Sequence, residues 1–170
     1  VIFSIFSFVL KSQDKLLNLK DAKITLKNNV VLVINQSNPN GIVATTNGGI
    51  VSEGDLNRVA WNINSIGTYT IPFWDTSKID FSYAIKTVAS SPDTLIVSTR
   101  RTVAKNTPWP TVPPQVTHMN LSVSPYEDGS YFVVDRFWVV RQKGNPTTPP
   151  DATLSFTYRD NEILNPNNIN

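Results

Sequence analysis

Residues 131–140 (YFVVDRFWVV) are the segment that most constrains how this chain can fold. They are mostly β-branched or aromatic, which favours a β-strand. Alternate residues of a strand point to opposite faces, and each face of this segment is apolar at four of its five positions. A strand with one wet face would alternate apolar with polar residues. We therefore expect this strand to lie centrally in a sheet and to be covered on both sides.

Short alternating segments separated by turn residues fill most of the remaining chain. Residues 58–63 and 68–73 predict one hairpin, and residues 81–88 and 94–100 predict a second. Pro72 lacks an amide donor, so its strand should end there or lie at a sheet edge. No segment has the length and period of an amphipathic helix. The chain is therefore predicted to be all-β, an antiparallel β-sandwich with jelly-roll or immunoglobulin-like connectivity.

A second set of apolar positions lies at the two ends of this predicted sandwich. Residues 16–34 contain short apolar groups interrupted at Asn28 and Asn29, which tolerate a left-handed turn. These groups predict either a tight hairpin or successive coils of a small β-solenoid. Near the other end, residues 152–158 alternate cleanly, which places four side chains toward the core: Ala152, Leu154, Phe156 and Tyr158.

The start of the chain resembles part of a signal peptide. Residues 1–10 (VIFSIFSFVL) are apolar but too short to span a bilayer, which takes about 20 residues. We expect cleavage after Ser12; the alternative is a buried first strand. The predicted organisation is a signal-peptide remnant at 1–12, an N-terminal β segment and loop at 13–49, a β-sandwich at 50–160, and a truncated linker or the start of a next segment at 161–170.

Composition excludes several classes of function. Charged residues make up 16% of the chain, the formal net charge is +2, and Arg100 and Arg101 are the only adjacent basic pair. Scattered cations of this kind do not form a nucleic-acid-binding face. The absence of cysteine removes disulfides and thiolate chemistry. Neither a nucleic-acid partner nor an integral membrane span is expected.

Histidine chemistry is also limited. His118 is the only histidine, and the alternation of its segment points it toward solvent. No Gly-x-Ser-x-Gly elbow occurs, and one histidine without cysteine excludes the usual zinc ligand sets. We therefore predict no catalytic, cofactor-binding or metal residue, and no enzymatic activity.

Asp135 and Arg136 stand within the apolar strand and, as neighbours, face opposite sides of it. A buried charge without a partner would cost several kcal/mol, so each should be paired elsewhere. The alternative is a polar ligand-binding cleft. The candidate partners are Asp75, Asp80 or Asp160 for Arg136, and Arg58, Arg159 or backbone amides for Asp135.

Two weaker candidates concern ligands. Trp74 and Trp109 lie in loop-like segments, where an exposed ring can stack on a sugar; the alternative is that Trp109, between two prolines, packs against its own crossover. The acidic stretch 160–162, joined by Asp151, could supply oxygen ligands, so calcium is the single cofactor candidate.

Four segments together carry a resemblance to a known group of proteins. They are GGIVSEGDLNRVAWNI at 48–63, GTYTIPF at 67–73, VVDRFWVV at 133–140 and ATLSFTYRDNE at 152–162. Their order and spacing resemble a module of large secreted surface proteins of Bacteroidota, the gliding-motility-associated proteins exported by type IX secretion. The resemblance implies an extracellular β-sandwich beside further domains, and it supplies no catalytic residues.

Taken together, these features predict a non-catalytic, extracellular β-sandwich module of a larger bacterial surface protein, with a structural or adhesive role. The alternative is a carbohydrate-binding module that uses exposed aromatic residues. The expected partners are neighbouring domains of the same polypeptide and an extracellular glycan or protein.

Overall fold

The computed structural model describes residues 16–103, 120–121, 124–130 and 133–163. This part of the chain is all-β, as the sequence predicts, and it includes the short 3₁₀ turn Asp160–Glu162. The strands are β1 (Leu17–Asn18), β2 (Lys23–Thr25), β3 (Val31–Ile34), β4 (Ile42–Val43), β5 (Gly49–Val51), β6 (Arg58–Asn62), β7 (Gly67–Ile71), β8 (Phe81–Thr87), β9 (Thr94–Arg101), β10 (Asn120–Leu121), β11 (Ser124–Asp128), β12 (Arg136–Gln142) and β13 (Asp151–Phe156).

Two larger sheets share one hydrophobic core, which agrees with the predicted β-sandwich. The first has four strands in the order β12-β9-β6-β3, and the second has three in the order β13-β8-β7. Contacts between the sheets include the rings of Phe81 and Trp138, whose centroids are 6.0 Å apart. Gln142 also donates a hydrogen bond from Nε2 to the hydroxyl of Tyr83 at 3.2 Å. No helix in the described residues is long and apolar enough to cross a membrane.

The N-terminal strands form two coils of a β-solenoid, which decides between the two alternatives for residues 16–34. β1, β2 and β3 pair in parallel with β4, β5 and β6 respectively. Asn28 and Asn29 have φ values of 58° and 64°, so they form the predicted left-handed turn. That turn is a corner between β2 and β3, which do not pair with each other. Because β3 and β6 belong to the four-stranded sheet, the solenoid continues directly into the sandwich.

Both predicted hairpins are wrong. β6 and β9 lie in the four-stranded sheet, whereas β7 and β8 lie in the three-stranded sheet, so each connection crosses from one sheet to the other. Trp61 and Tyr69 accordingly meet edge to face across the core, with centroids 5.1 Å apart. The alternation of apolar and polar residues shows which side chains point inward. It does not show whether two successive strands pair within one sheet or lie in two facing sheets, because the pattern is identical in both cases.

The position predicted for the 131–140 strand is also wrong. β12 begins at Arg136 and, among the strands that the structure describes, pairs with β9 alone, so it is an edge strand of that sheet. Phe137 is buried, whereas Trp138, Val139 and Val140 are half-buried. In this strand, apolar residues on both faces therefore correspond to an edge strand whose two faces are each partly buried.

The three-stranded sheet has two edges with different character. β7 ends at Ile71, directly before Pro72, as the missing amide donor predicts. β13 forms the other edge, and its Leu154 and Phe156 are 41% and 44% exposed, like Tyr158 beyond it at 41%. The sequence predicts that these three side chains are covered. Leu154 and Phe156 do lie beside the buried Tyr83 and Phe81, but the edge position leaves them open.

Candidate functional site

The most elaborate polar cluster in the described residues surrounds Arg136, whose side chain is fully buried at the start of β12. Its guanidinium donates to Glu162 in a bidentate fashion, from Nη2 to Oε1 at 2.7 Å and from Nε to Oε2 at 3.1 Å. Nη1 lies 2.9 Å from Oε1 of Glu53 and also donates to the hydroxyl of Thr99 at 3.1 Å. Nη2 is 3.5 Å from Oδ2 of Asp75. Three carboxylates therefore surround one buried cation.

A second arginine completes the cluster. Nη2 of Arg159 is 2.6 Å from Oδ2 of Asp75 and 2.9 Å from Oε1 of Glu162. Its side chain also donates to the hydroxyl of Thr76. Arg159 thus joins the segment after β13 to the turn after Trp74. We call Glu53, Asp75, Arg136, Arg159 and Glu162 the Arg136 cluster.

Glu53 reaches this cluster from a left-handed backbone conformation, with φ of 37°. Left-handed φ is unfavourable for a residue with a side chain. The surrounding turn holds it there, because Ser52 donates from Oγ to the carbonyl of Asn57 at 2.6 Å, and Asn57 donates back from Nδ2 to the carbonyl of Ser52 at 2.9 Å. The Glu53 carboxylate also accepts from the backbone amide of Arg101 at 2.8 Å.

Burial and pairing act in opposite directions on the two central residues. Burial raises the pKa of the Glu162 carboxyl, but hydrogen bonds from Arg136 and Arg159 outweigh it and lower the pKa below its usual value. Burial lowers the pKa of Arg136, and its bonds to Glu162 and Glu53 more than compensate, so the pKa is raised. Both residues therefore remain charged near neutral pH.

Sequence reasoning found part of this cluster. Of the partners proposed for Arg136, Asp75 is in contact, whereas Asp80 lies 3.6 Å from Lys78. Glu53 and Glu162 were missed as partners. Glu162 lies 26 residues away from Arg136 and Glu53 lies 83 away, and no local pattern links them.

Asp135 is buried beside Arg136, as the sequence predicts. Its backbone amide donates to the carbonyl of Glu162 at 2.8 Å, and its carbonyl accepts from Thr102 at 3.0 Å. Of the cations proposed for it, Arg159 is engaged within the Arg136 cluster, and Arg58 donates from Nε to the carbonyl of Asp55 at 3.1 Å. The Asp135 backbone is therefore hydrogen-bonded both to the 3₁₀ turn at Glu162 and to Thr102, directly after β9.

The stacking candidates are only partly described. Trp74 is half-buried, and the ammonium of Lys23 lies 4.3 Å from its ring centroid. Its backbone amide donates to Ile50 at 2.8 Å, which holds Trp74 against β5. Contact with Lys23 on one side reduces the ring surface that is open for stacking. Trp109, His118 and the proposed signal-peptide remnant at 1–12 lie outside the described residues.

The calcium hypothesis loses one of its ligands. Glu162 is fully buried and receives hydrogen bonds from two arginines, so its carboxylate has no room for a cation. Asp151 begins β13, whereas Asp160 lies beyond the other end of that strand. Across the ranges that the structure describes, no three acidic or histidine side chains converge as a metal site would require.

Asp93 is a further buried carboxylate and lies at the opposite end of the sandwich. Oδ1 of Asp93 accepts from the backbone amides of Thr94 and Gly144, each at 2.6 Å. The Asp93 amide donates to the side chain of Asn64 at 2.9 Å. Asp93 lies in the connection from β8 to β9, and it bonds to Asn64 in the connection from β6 to β7 and to Gly144 after β12. It therefore joins three connecting segments at this end.

A shallow depression lies next to the Arg136 cluster, between the turn after Trp74 and the segment that follows β13. Its volume is about 460 Å³. Side chains that can donate or accept hydrogen bonds dominate the lining, which consists of Ser77, Lys78, Tyr158, Arg159, Asp160 and Asn161.

Comparison of the chain with protein-family models, with curated proteins and with solved structures found no match.

Proposed function

We propose that this chain is a non-catalytic, extracellular β-sandwich module of a larger surface protein, with a structural or adhesive role. The observation that carries the proposal is the Arg136 cluster, in which two arginines form ion pairs with three carboxylates. Three loops and the start of β12 meet there, because Glu53, Asp75 and Glu162 each come from a different connection. An arrangement of this kind stabilises the relative position of distant segments.

The charge states of the cluster also favour a structural role. A general acid or base works best when its pKa lies near the operating pH. Glu162 has a lowered pKa and Arg136 a raised one, so both shifts lead away from neutrality. Such shifts keep Glu162 and Arg136 ionised. They favour a role in which the pair joins distant segments of the chain over a role in proton transfer.

The extracellular setting is supported by the resemblance of residues 48–63, 67–73, 133–140 and 152–162 to secreted surface modules of Bacteroidota. The sandwich would then connect neighbouring domains of one polypeptide. The β-solenoid start supports this arrangement, because stacked parallel coils leave strand edges at which further structure can follow.

Domain replacement in the parent polypeptide would test the proposal. One version would carry an unrelated β-sandwich of similar size in place of this module, and another would carry a flexible linker. If the role is structural, the unrelated sandwich should restore surface display, measured by protease accessibility on intact cells, whereas the linker should not. If the role is adhesive, display should recover but attachment of the cells to a surface should not.

Two outcomes would contradict the proposal. One is a parent polypeptide that stays inside the cell and is never cleaved by external protease. The other is loss of a turnover activity that returns only with the original module and not with either replacement.

A further inference from the structure

We infer that the depression bounded by Ser77, Lys78, Tyr158, Arg159, Asp160 and Asn161 is a binding site for a neutral saccharide. The inference rests on the proposed adhesive function and names its ligand class. The site lies at the junction of the 74–78 turn with the segment after β13, and its aromatic lining residue is Tyr158 rather than Trp74.

The first requirement of such a site is an accessible aromatic ring. Tyr158 lines the depression and is 41% exposed. An aromatic side chain offers a flat apolar face with a polar hydroxyl at its edge. The C–H face of a sugar ring is apolar while its rim carries hydroxyls, so the two surfaces are complementary.

The second requirement is a set of side chains that can form hydrogen bonds with the sugar hydroxyls. A hydroxyl both donates and accepts a hydrogen bond, so the site needs donors as well as acceptors. Ser77 provides a hydroxyl, Asn161 an amide with both functions, and Asp160 an acceptor carboxylate. All three are exposed to solvent. A ligand that replaces water at these groups exchanges one set of hydrogen bonds for another.

The charges around the depression favour a neutral sugar over an acidic one. The ammonium of Lys78 lies 3.6 Å from Asp80. The guanidinium of Arg159 is neutralised by Asp75 at 2.6 Å and by Glu162 at 2.9 Å. Both cations of the lining are therefore compensated by carboxylates, while Asp160 adds a negative charge that would repel an acidic ligand.

The Arg136 cluster keeps the two walls of the depression in place. Arg159 bonds to Asp75 and Thr76 on one wall and to Glu162 on its own wall, and its side chain is only 10% exposed. Neither wall then needs to be ordered when a ligand binds, which lowers the entropic cost of binding.

An apolar stripe extends the site along β13. Leu154 and Phe156 follow one alternation along β13 at a spacing of roughly 6.6–6.8 Å, and Tyr158 lies two residues beyond the end of the strand. Each is more than 40% exposed, although the Phe156 ring also packs against Trp138, with centroids 5.6 Å apart. A saccharide chain of several units could lie along this stripe from the depression. We therefore expect an oligosaccharide to bind more tightly than its monosaccharide unit.

The test uses the purified 170-residue chain on an array of neutral oligosaccharides and uronic- or sialic-acid-containing ones, with hits titrated calorimetrically. We expect neutral ligands to be retained. Tyr158→Ala should weaken binding at least about tenfold, as the loss of roughly 1.4 kcal/mol would. Asn161→Ala should weaken it several-fold. Val88→Ala is the matched control, because Val88 is 40% exposed at the opposite end of the same sheet, and it should change nothing.

Folding of each variant is checked by its thermal midpoint. If Tyr158→Ala lowers that midpoint, Tyr158→Phe keeps the ring and should retain binding, and Asn161→Ala then decides. The inference is overturned if no glycan on the array binds, if only acidic glycans bind, or if Tyr158→Ala and Asn161→Ala, both folded, bind like the original chain. Domain replacement in the parent polypeptide is read out separately, so the failure of one proposal does not imply failure of the other.

Discussion

Replacing Arg136 with Met should destabilise the chain by about 3 kcal/mol. The substitution keeps an unbranched apolar stem of similar reach but removes the cation. Glu162 would then stay in a fully buried position without its bidentate partner. Glu53 and Asp75 are less affected, since their side chains are 28% and 24% exposed and water can solvate them.

The magnitude follows from what remains around Glu162. Breaking a buried ion pair typically costs about 3–5 kcal/mol. The lower end applies because Arg159 still reaches Glu162 with its amide at 3.1 Å, Nε at 3.3 Å and Nη2 at 2.9 Å. For a chain of this size, a loss of about 3 kcal/mol corresponds to a fall of roughly 6–12 °C in the thermal midpoint.

Urea unfolding followed by circular dichroism and tryptophan fluorescence would measure the effect. Lys78→Met is the control, because the Lys78–Asp80 pair is about one-third exposed and should contribute at most about 1 kcal/mol. The double variant Arg136→Met/Glu162→Met removes both buried charges, and it should recover at least about 1 kcal/mol of the single loss. The reasoning is refuted if Arg136→Met costs no more than Lys78→Met, or if the two substitutions in the double variant simply add.

Three further changes test other parts of the fold. The pKa of Glu162 is lower in the folded than in the unfolded chain, so its stabilisation is present above the unfolded pKa and is lost as the pH falls through the folded pKa. Glu162→Gln should therefore reduce the fall in the free energy of unfolding at acid pH, measured by urea unfolding. An unchanged fall would contradict this. Gly144→Ala would bring a Cβ within 2.6 Å of Asp93 Oδ1 and should cost about 1–3 kcal/mol in thermal unfolding, whereas an unaltered midpoint would show that this contact relaxes freely. Tyr69→Phe removes the buried hydroxyl that accepts from the amide of Ser65 at 3.1 Å and should cost about 1–3 kcal/mol, and faster amide exchange at Ser65 should accompany it.

Side-chain direction could be predicted from the sequence better than strand pairing. In the segment 81–88, the alternate apolar residues Phe81, Tyr83 and Ile85 are all buried, as strand alternation predicts for one face. The left-handed turn predicted at Asn28 and Asn29 is also confirmed. Partners could not be inferred, because the period of a strand is the same whichever strand lies beside it. The error at β13 has a different cause, since alternation gives orientation but says nothing about whether a facing sheet extends far enough to cover it.

The Arg136 cluster could be predicted only from one side. A charge at position 136 in an apolar strand requires a partner, and that much follows from electrostatics. The identity of the partner depends on where loops end after the chain has crossed between sheets. Glu53 gave one usable signal, the adjacent Gly54 in a tight turn, but nothing in its neighbourhood connects it with Arg136.

The order of strands has a consequence for how this chain acquires its structure during synthesis. In the four-stranded sheet, each strand pairs with one that lies three strands away along the chain, so nothing in that sheet forms from adjacent segments. Such non-local pairing makes folding slow. Glu53 and Glu162 are 109 positions apart, and at about 5–20 residues per second Glu162 is synthesised on the order of 5–20 s after Glu53. Until then Arg136 lacks its closest partner, so the sandwich reaches its stable form only after Glu162 has been synthesised.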